Sequence, residues 1–292
     1  MRVKILFWNY NVDKGGLMAD QPAKGDPLAW VVKEQGVDVI VLADCTLPNA
    51  DILASLGSLG LEFRATLPHD KVRVFGRSSK LELDAVLSDT RVHLFRLACG
   101  GFEEILIGAT HLYDRLNHQE ERRRHDKVKL HYQTVVDAEN RVGHNRTLLV
   151  GDFNMTPNEA GMIDPEQAFG ALMTWDLAEV HSDPMQGGSP RFYNPMWSLM
   201  GRAEAPGTYF WESTDRYNIY WYCLDGVILR PALRGVFRDE SLAIVTTLID
   251  PGGREIPLIR RARKHWKIEF SDHLPITFEL ALRENESGAN HG

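Results

Sequence analysis

Arg146-Thr147-Leu148-Leu149-Val150-Gly151-Asp152-Phe153-Asn154 joins a short apolar run to a polar tip, and the rest of the chain repeats that arrangement. The apolar run reads as a buried strand, and Gly151 at its end marks a turn or a close approach of backbone. Side chains two apart on extended backbone share a face, so Asp152 and Asn154 set an anionic oxygen and an amide against one small target, such as a hydrated cation or a phosphate. The same two residues are equally suited to shaping a turn before a helix start at Thr156-Pro157. Their company decides between the two.

Upstream, Val3-Lys4-Ile5-Leu6-Phe7-Trp8 reads as a strand ending at Asn9-Tyr10-Asn11, and Val37 to Leu42 as another ending at Ala43-Asp44. Glu104 to Ala109 ends at Thr110-His111-Leu112, and the last strand-like segment of this kind runs into Ser271-Asp272-His273-Leu274-Pro275. One further strand, expected over Tyr220 to Leu229, embeds Asp225 in apolar sequence. A carboxylate buried there is costly unless it is paired, and His273 or a metal is a suitable partner.

The chain has 292 residues, a formal net charge of -7, 43% hydrophobic and 25% charged residues, the balance of a soluble globular protein. Motifs spread from Asn9 to His273 imply one domain over residues 1–282, with a disordered tail at 283–292. No apolar run is long enough for a bilayer and no signal-peptide pattern precedes the first strand, so the expected location is cytoplasmic, without a membrane anchor. Cys45, Cys99 and Cys223 lack CxxC spacing, which argues against a disulfide framework or a zinc site.

Asp26-Pro27 caps a helix over Leu28 to Gln35 that Gly36 stops, and Asp164-Pro165 repeats the device for a helix to about Met173. A longer helix is expected over Glu120 to Val142, its Arg122-Arg123-Arg124 a solvated face. Strands around Phe63, Val74, Leu83, His93, Tyr209 and Phe278 complete an α/β pattern with runs of adjacent strands, which suits two packed sheets with helices outside.

The negative net charge argues against a broad nucleic-acid-coating surface, but charge is local. Arg260, Arg261, Arg263, Lys264 and Lys267 surround Trp266 just before the Ser-Asp-His motif, a run able to neutralise phosphates and stack a base. Between His181 and Tyr222 lies an aromatic-rich interval. Tyr193 and Trp197 are its candidates for substrate contact, whereas Phe210 and Trp221 are expected to pack.

Taken in order, Trp8-Asn9-Tyr10-Asn11, Leu42-Ala43-Asp44, Thr110-His111-Leu112, Gly151-Asp152-Phe153-Asn154, Leu224-Asp225 and Ser271-Asp272-His273 resemble the motif series of the endonuclease/exonuclease/phosphatase superfamily. Its members include DNase I, abasic-site endonucleases, deadenylases, inositol polyphosphate phosphatases and neutral sphingomyelinases. His111 is more similar to the DNase I branch than to the abasic-site branch, and Tyr193 to Trp197 resembles bacterial members. The resemblance implies a DNase I-like four-layer sandwich, two mainly antiparallel β-sheets flanked by helices. It further implies a phosphodiester hydrolase using Mg2+ or Mn2+, held by Asp44, Asn11 and Asp272. Asp152 would activate water, Asn9 and Asn154 would donate to phosphate or water, Asp225 would keep His273 protonated, and His111 would contact phosphate or protonate the leaving group. Two departures stand out: Asp44 replaces the family's glutamate and Asn11 an aspartate seen in many relatives, both of which weaken anionic ligation. A nuclease acting on DNA or RNA is the leading expectation, a phosphatase or phospholipid-cleaving activity the alternative, and a binding module on a decayed site the third. A nuclease in the cytoplasm also leaves room for an activating protein partner.

Overall fold

Two sheets stack face to face. A computed structural model describes residues 1–11, 26–66, 69, 71–113, 121–166, 168–186, 188–211, 216, 218–262 and 265–285, with the backbone alone described at 121–124, 186, 261, 262 and 265–268. The first sheet orders Phe237–Ile244, Ile276–Ala281, Arg2–Asn9, Val39–Ala43, Val72–Arg77 and Phe63–Ala65. The second orders Glu82–Ser88, Val92–Ala98, Ile105–His111, Thr147–Asp152, Asp225–Leu229, Phe192–Tyr193 and Ala171–Leu172. Most neighbours are antiparallel. Arg2–Asn9 runs parallel to Val39–Ala43, and Ile105–His111 parallel to Thr147–Asp152. A parallel pair needs a long crossover, and the helices Asp26–Gln35 and Glu121–Val142 lie in those two connections.

Alternation along the strands sorts the core into three layers. Val3, Ile5 and Phe7 face Ile105, Ile107, Leu148 and Val150 between the sheets. Leu6, Trp8, Ile40 and Leu42 turn outward onto Leu28, Val31 and Val32 of the first crossover helix and Ile52 and Leu56 of the helix Asn49–Ser58. Leu106 and Leu149 turn outward onto Val128, Val135 and Ala138 of the long helix. The result is the expected helix, sheet, sheet, helix sandwich. No helix among the described residues is long and apolar enough to cross a membrane.

Four local expectations differ. Asp164-Pro165 ends the short helix Ala160–Ile163 instead of starting one, because Asp164 turns its carboxylate onto the Glu166 amide at 2.8 Å and the chain then enters the strand Ala171–Leu172. No helix starts at Thr156-Pro157 either; the Glu159 carboxylate accepts from the Thr156 amide at 3.0 Å and closes a turn ahead of Ala160. The strand expected over Tyr220 to Leu229 is two: Trp221–Tyr222 pairs with Tyr209–Phe210, and Asp225–Leu229 joins the second sheet. The break falls where the Leu224 carbonyl accepts from the Phe153 amide at 2.8 Å. Residues 283–285, expected in the disordered tail, are paired: Glu284 bridges Phe102, and the Asn285 amide donates to the Gly101 carbonyl. The remaining tail residues lie outside those described.

Candidate active site

The core rows lead into the site. Ile105, Ile107 and Ala109 face the inter-sheet layer and His111 is next in their row; Leu148 and Val150 lead to Asp152, Leu229 and Val227 to Asp225, and Ile5 and Phe7 to Asn9. Register then places His111 beside Asp152, and Asp152 beside Asp225. The four polar residues are therefore the last steps of apolar rows, where the two sheets end together.

Gly151 lets this happen. A Cβ there would stand 1.9 Å from the Thr110 carbonyl oxygen, so any side chain would force the strands bearing His111 and Asp152 apart. We expect Gly151→Ala to lower stability by about 3 kcal/mol, a fall of roughly 10 °C in Tm, because backbone rather than a flexible side chain must yield. Thermal melts of the two proteins check this; matching Tm values would contradict the close approach.

Asp152 is held on both oxygens: Asn9 Nδ2 donates to Oδ2 at 2.9 Å and the Asn154 amide to Oδ1 at 2.7 Å. Asn154 is left-handed, φ 53°, and its side-chain amide donates to the Leu112 carbonyl at 3.1 Å. Both amides expected to meet phosphate or water are thus directed at the site's own frame. The orientation of Asn9 leaves its Oδ1 buried without a hydrogen-bond partner among the described residues.

His273 Nδ1 lies 2.8 and 3.0 Å from the two oxygens of Asp225. The loop bearing it is tied to the first strand, Trp8 Nε1 donating to the His273 carbonyl at 2.9 Å and Ser271 Oγ to the Asn9 carbonyl at 2.6 Å. Thr208 Oγ1 accepts from the Asp225 amide at 3.1 Å, and the Tyr209 ring covers His273 with centroids 4.5 Å apart. His111 stands between carboxylates, Nδ1 3.3 Å from Asp44 and Nε2 3.8 Å from Asp152. Asp44 adopts φ 47°, a left-handed conformation that aspartate tolerates better than most residues.

Burial gives these groups unusual proton affinities. Asp152 is pushed up to about 6, by burial first and by the Asp225 charge second. Burial opposes the charged form of His273, yet Asp225, Asp152 and Asp272 outweigh it and raise the imidazole to about 9.

Asp152, Asp225 and His273 each offer a ligand atom, all within 4.8 Å of one another. His273 Nδ1 is already committed to Asp225. Oxygens that could face a cation are those of Asp44, partly exposed, and the unpartnered Asn9 Oδ1; Asn11 and Asp272, the other expected ligands, are of intermediate exposure. That all-oxygen set suits a hard ion such as Mg2+ or Mn2+.

A family model described as Endonuclease/Exonuclease/phosphatase family matches residues 9–273, the span that begins at Asn9 and ends at His273. The chain belongs to that family. Among solved structures of similar fold, this endonuclease/exonuclease/phosphatase chain superposes on TDP2 of D. rerio complexed with single strand DNA product, with TM-score 0.55, 15% identity, and coverage of 96% of this chain and 99% of that one. An endonuclease/exonuclease/phosphatase family protein from Bacteroides thetaiotaomicron gives TM-score 0.55 at 13% identity, covering 100% and 99%. The human Nocturnin catalytic domain with bound sulfate gives 0.54 at 14%, covering 97% and 95%. No curated protein matches by sequence.

The remaining expected contact residues are scattered. Tyr193 sits in the inter-sheet core, its ring 4.1 Å from Trp175 and its hydroxyl donating to Asp239 at 2.7 Å; its register partner is Leu229, at the opposite end of the strand from Asp225. A two-residue strand is too short for alternation to reveal that inward placement. Trp197 is half-buried and sits in the short 3-10 turn Pro195–Ser198. The basic run forms a hairpin of Ile259–Ala262 with His265–Ile268, in which Arg260 pairs with the buried Glu269. Arg263 and Lys264 lie outside the described residues, as do the side chains of Arg261 and Trp266. Phe210 and Trp221 pack against the outer core of the first sheet. Trp8, Thr208, Tyr209 and Ser271 were missed as parts of the site's frame; only Trp8 and Ser271, inside quoted motifs, carried any signal.

Proposed function

We propose that the chain is a metal-dependent phosphodiester hydrolase that cuts DNA or RNA by in-line attack of water. One observation carries the reading: a buried carboxylate with raised proton affinity stands in the same pocket as an imidazolium held charged by a second carboxylate. Two titratable groups pushed toward a base and a proton-bearing cation are an acid–base assignment.

Asp152, oriented on both oxygens, accepts the proton of the attacking water. His273, fixed through Nδ1, presents its other ring nitrogen as a charged donor to a non-bridging phosphate oxygen. His111, set between Asp44 and Asp152, donates to a second phosphate oxygen or to the departing one. Asp44, Asn9 Oδ1, Asn11 and Asp272 would hold the Mg2+ or Mn2+. When bound, the ion supplies charge neutralisation on the phosphate.

A nucleic-acid substrate is supported by the rim. Trp211 stacks near-parallel on Tyr209, 18° between planes, so an aromatic row runs outward from His273, and Trp211 is 42% exposed. Such faces stack unpaired bases. The D. rerio relative, complexed with single strand DNA product, points the same way.

The test is cleavage of end-labelled and circular, single- and double-stranded DNA and RNA with Mg2+, Mn2+ or chelator. Metal-dependent cutting is expected; none on any substrate would overturn the nuclease reading. Asp44→Asn is expected to leave Tm unchanged, because asparagine also tolerates a left-handed backbone, while the metal concentration for half-maximal activity rises on the order of tenfold or more. A metal titration with an unmoved midpoint would remove Asp44 from the ligand set.

A further inference from the structure

A cavity of about 160 Å³ opens beside Asp44, walled by Leu42, Asp44, Cys45, Thr46, Lys71 and Arg73. Two cations meet one carboxylate there. Arg73 spends Nη1 on neutral acceptors, the Leu47 carbonyl and Asn49 Oδ1. Its Nε and Nη2 have no partner among the described residues, nor does the Lys71 ammonium. Asp44 is turned by its left-handed backbone so that its carboxylate also stands 3.3 Å from His111, and it forms the wall shared between this cavity and the catalytic row.

Open guanidinium and ammonium donors in a space that is net cationic among the described residues are suited to an oxyanion, the guanidinium through two parallel N–H donors. At about 160 Å³ the cavity is large enough for a tetrahedral anion, and Asp44 alone separates it from His111. We infer that it is a subsite for the phosphate adjacent to the one being cut, with Lys71 and Arg73 as residues that determine specificity. This assignment rests on the hydrolase reading for its substrate. The second phosphate can come from the next nucleotide of a strand or from a pyrophosphate link, and both present the same charged oxygens.

The experiment compares kcat/KM for a dinucleoside monophosphate, the same compound carrying a terminal 3′- or 5′-phosphate, and a dinucleoside pyrophosphate, in the wild type, Lys71→Met and Lys71→Arg. The wild type is expected to prefer a two-phosphate compound on the order of tenfold or more. Lys71→Met should bring that ratio close to one through KM, and Lys71→Arg should retain most of it. Which two-phosphate compound is preferred identifies the source. A wild type indifferent to the second phosphate, or a preference that survives Lys71→Met, overturns the inference. Arg73→Met is the less direct variant, because Arg73 also fastens the Leu47 carbonyl. Calorimetric titration with inorganic pyrophosphate in chelator separates the two readings. If no diester is cut, the hydrolase reading falls, whereas pyrophosphate binding lost in Lys71→Met still upholds the subsite. Equal binding by both proteins, or none by the wild type, removes it.

Discussion

Asp152→Asn is expected to reduce turnover by at least about a thousandfold while leaving the fold more stable, not less. Asparagine keeps the shape and the contact with Asn9 but cannot take a proton from water, and loss of a positioned base costs about 10²–10⁴-fold before any contribution to charge complementarity. The stability argument runs on burial. Asp152 is 1% exposed, and its proton affinity rises from the ordinary 3.8 to about 6. A carboxylate raised above its unfolded value costs nothing below pH 4, costs progressively more between pH 4 and 6, and carries the full penalty above 6. That rise corresponds to on the order of 3 kcal/mol. Metal-free denaturation curves should therefore show Asp152→Asn more stable than the wild type at pH 8 and indistinguishable from it near pH 4. Turnover surviving in the variant would end the assignment of Asp152 as the base, and a variant less stable at pH 8 would show that Asn9, Asn154 and His273 more than compensate the charge.

That opposition between stability and activity is why so much of the site was legible in sequence. A buried polar residue on an apolar run is costly, so Asn9, His111 and Asp152 stood out at the tips of such runs and Asp225 inside one. Their order along the chain matched the motif series of the family, and the structure shows why they meet: each continues the inward-facing row of its strand, and strands that stack in register bring such ends together. The helices of the two long crossovers were read from their own caps and length, but which strands run parallel was not.

Less visible was anything that depends on backbone conformation or on contacts between distant segments. Asp44 read as a shortened ligand; the left-handed φ of 47° and the contact with His111 supply the physical reason for aspartate, and no side-chain pattern encodes a backbone angle. Asn154 read as a donor to substrate, but its own left-handed turn carries the amide back to Leu112. Tyr193 and Tyr209 are both aromatic residues in two-residue strands, too short for alternation to say which face is which. One fills the core and the other covers His273.

Asp225→Asn should move the alkaline limit of activity, and this separates a charge role for Asp225 from a structural one. In the wild type the pair keeps His273 protonated to about pH 9, against an ordinary value near 6.5. Removing the carboxylate leaves burial, which favours the neutral ring, opposed only by the more weakly acting Asp152 and Asp272, so the imidazole should titrate well below 9. Between pH 6.5 and 9 the variant therefore loses the cation that faces the phosphate, with turnover falling on the order of 10²–10⁴-fold at pH 8 and recovering in part toward pH 6. The sign for stability agrees. A histidine raised above its unfolded value contributes fully below about pH 6.5 and loses that contribution as pH rises through 9, so the stability deficit of the variant should be largest in mild acid and vanish in alkali. Proton NMR titration of His273 in both proteins, set beside their pH–rate profiles, measures both effects. An imidazole that titrates at the same pH in the two proteins would mean that Asp225 only orients the ring, and the charge on His273 would then have to be attributed to Asp152 and Asp272.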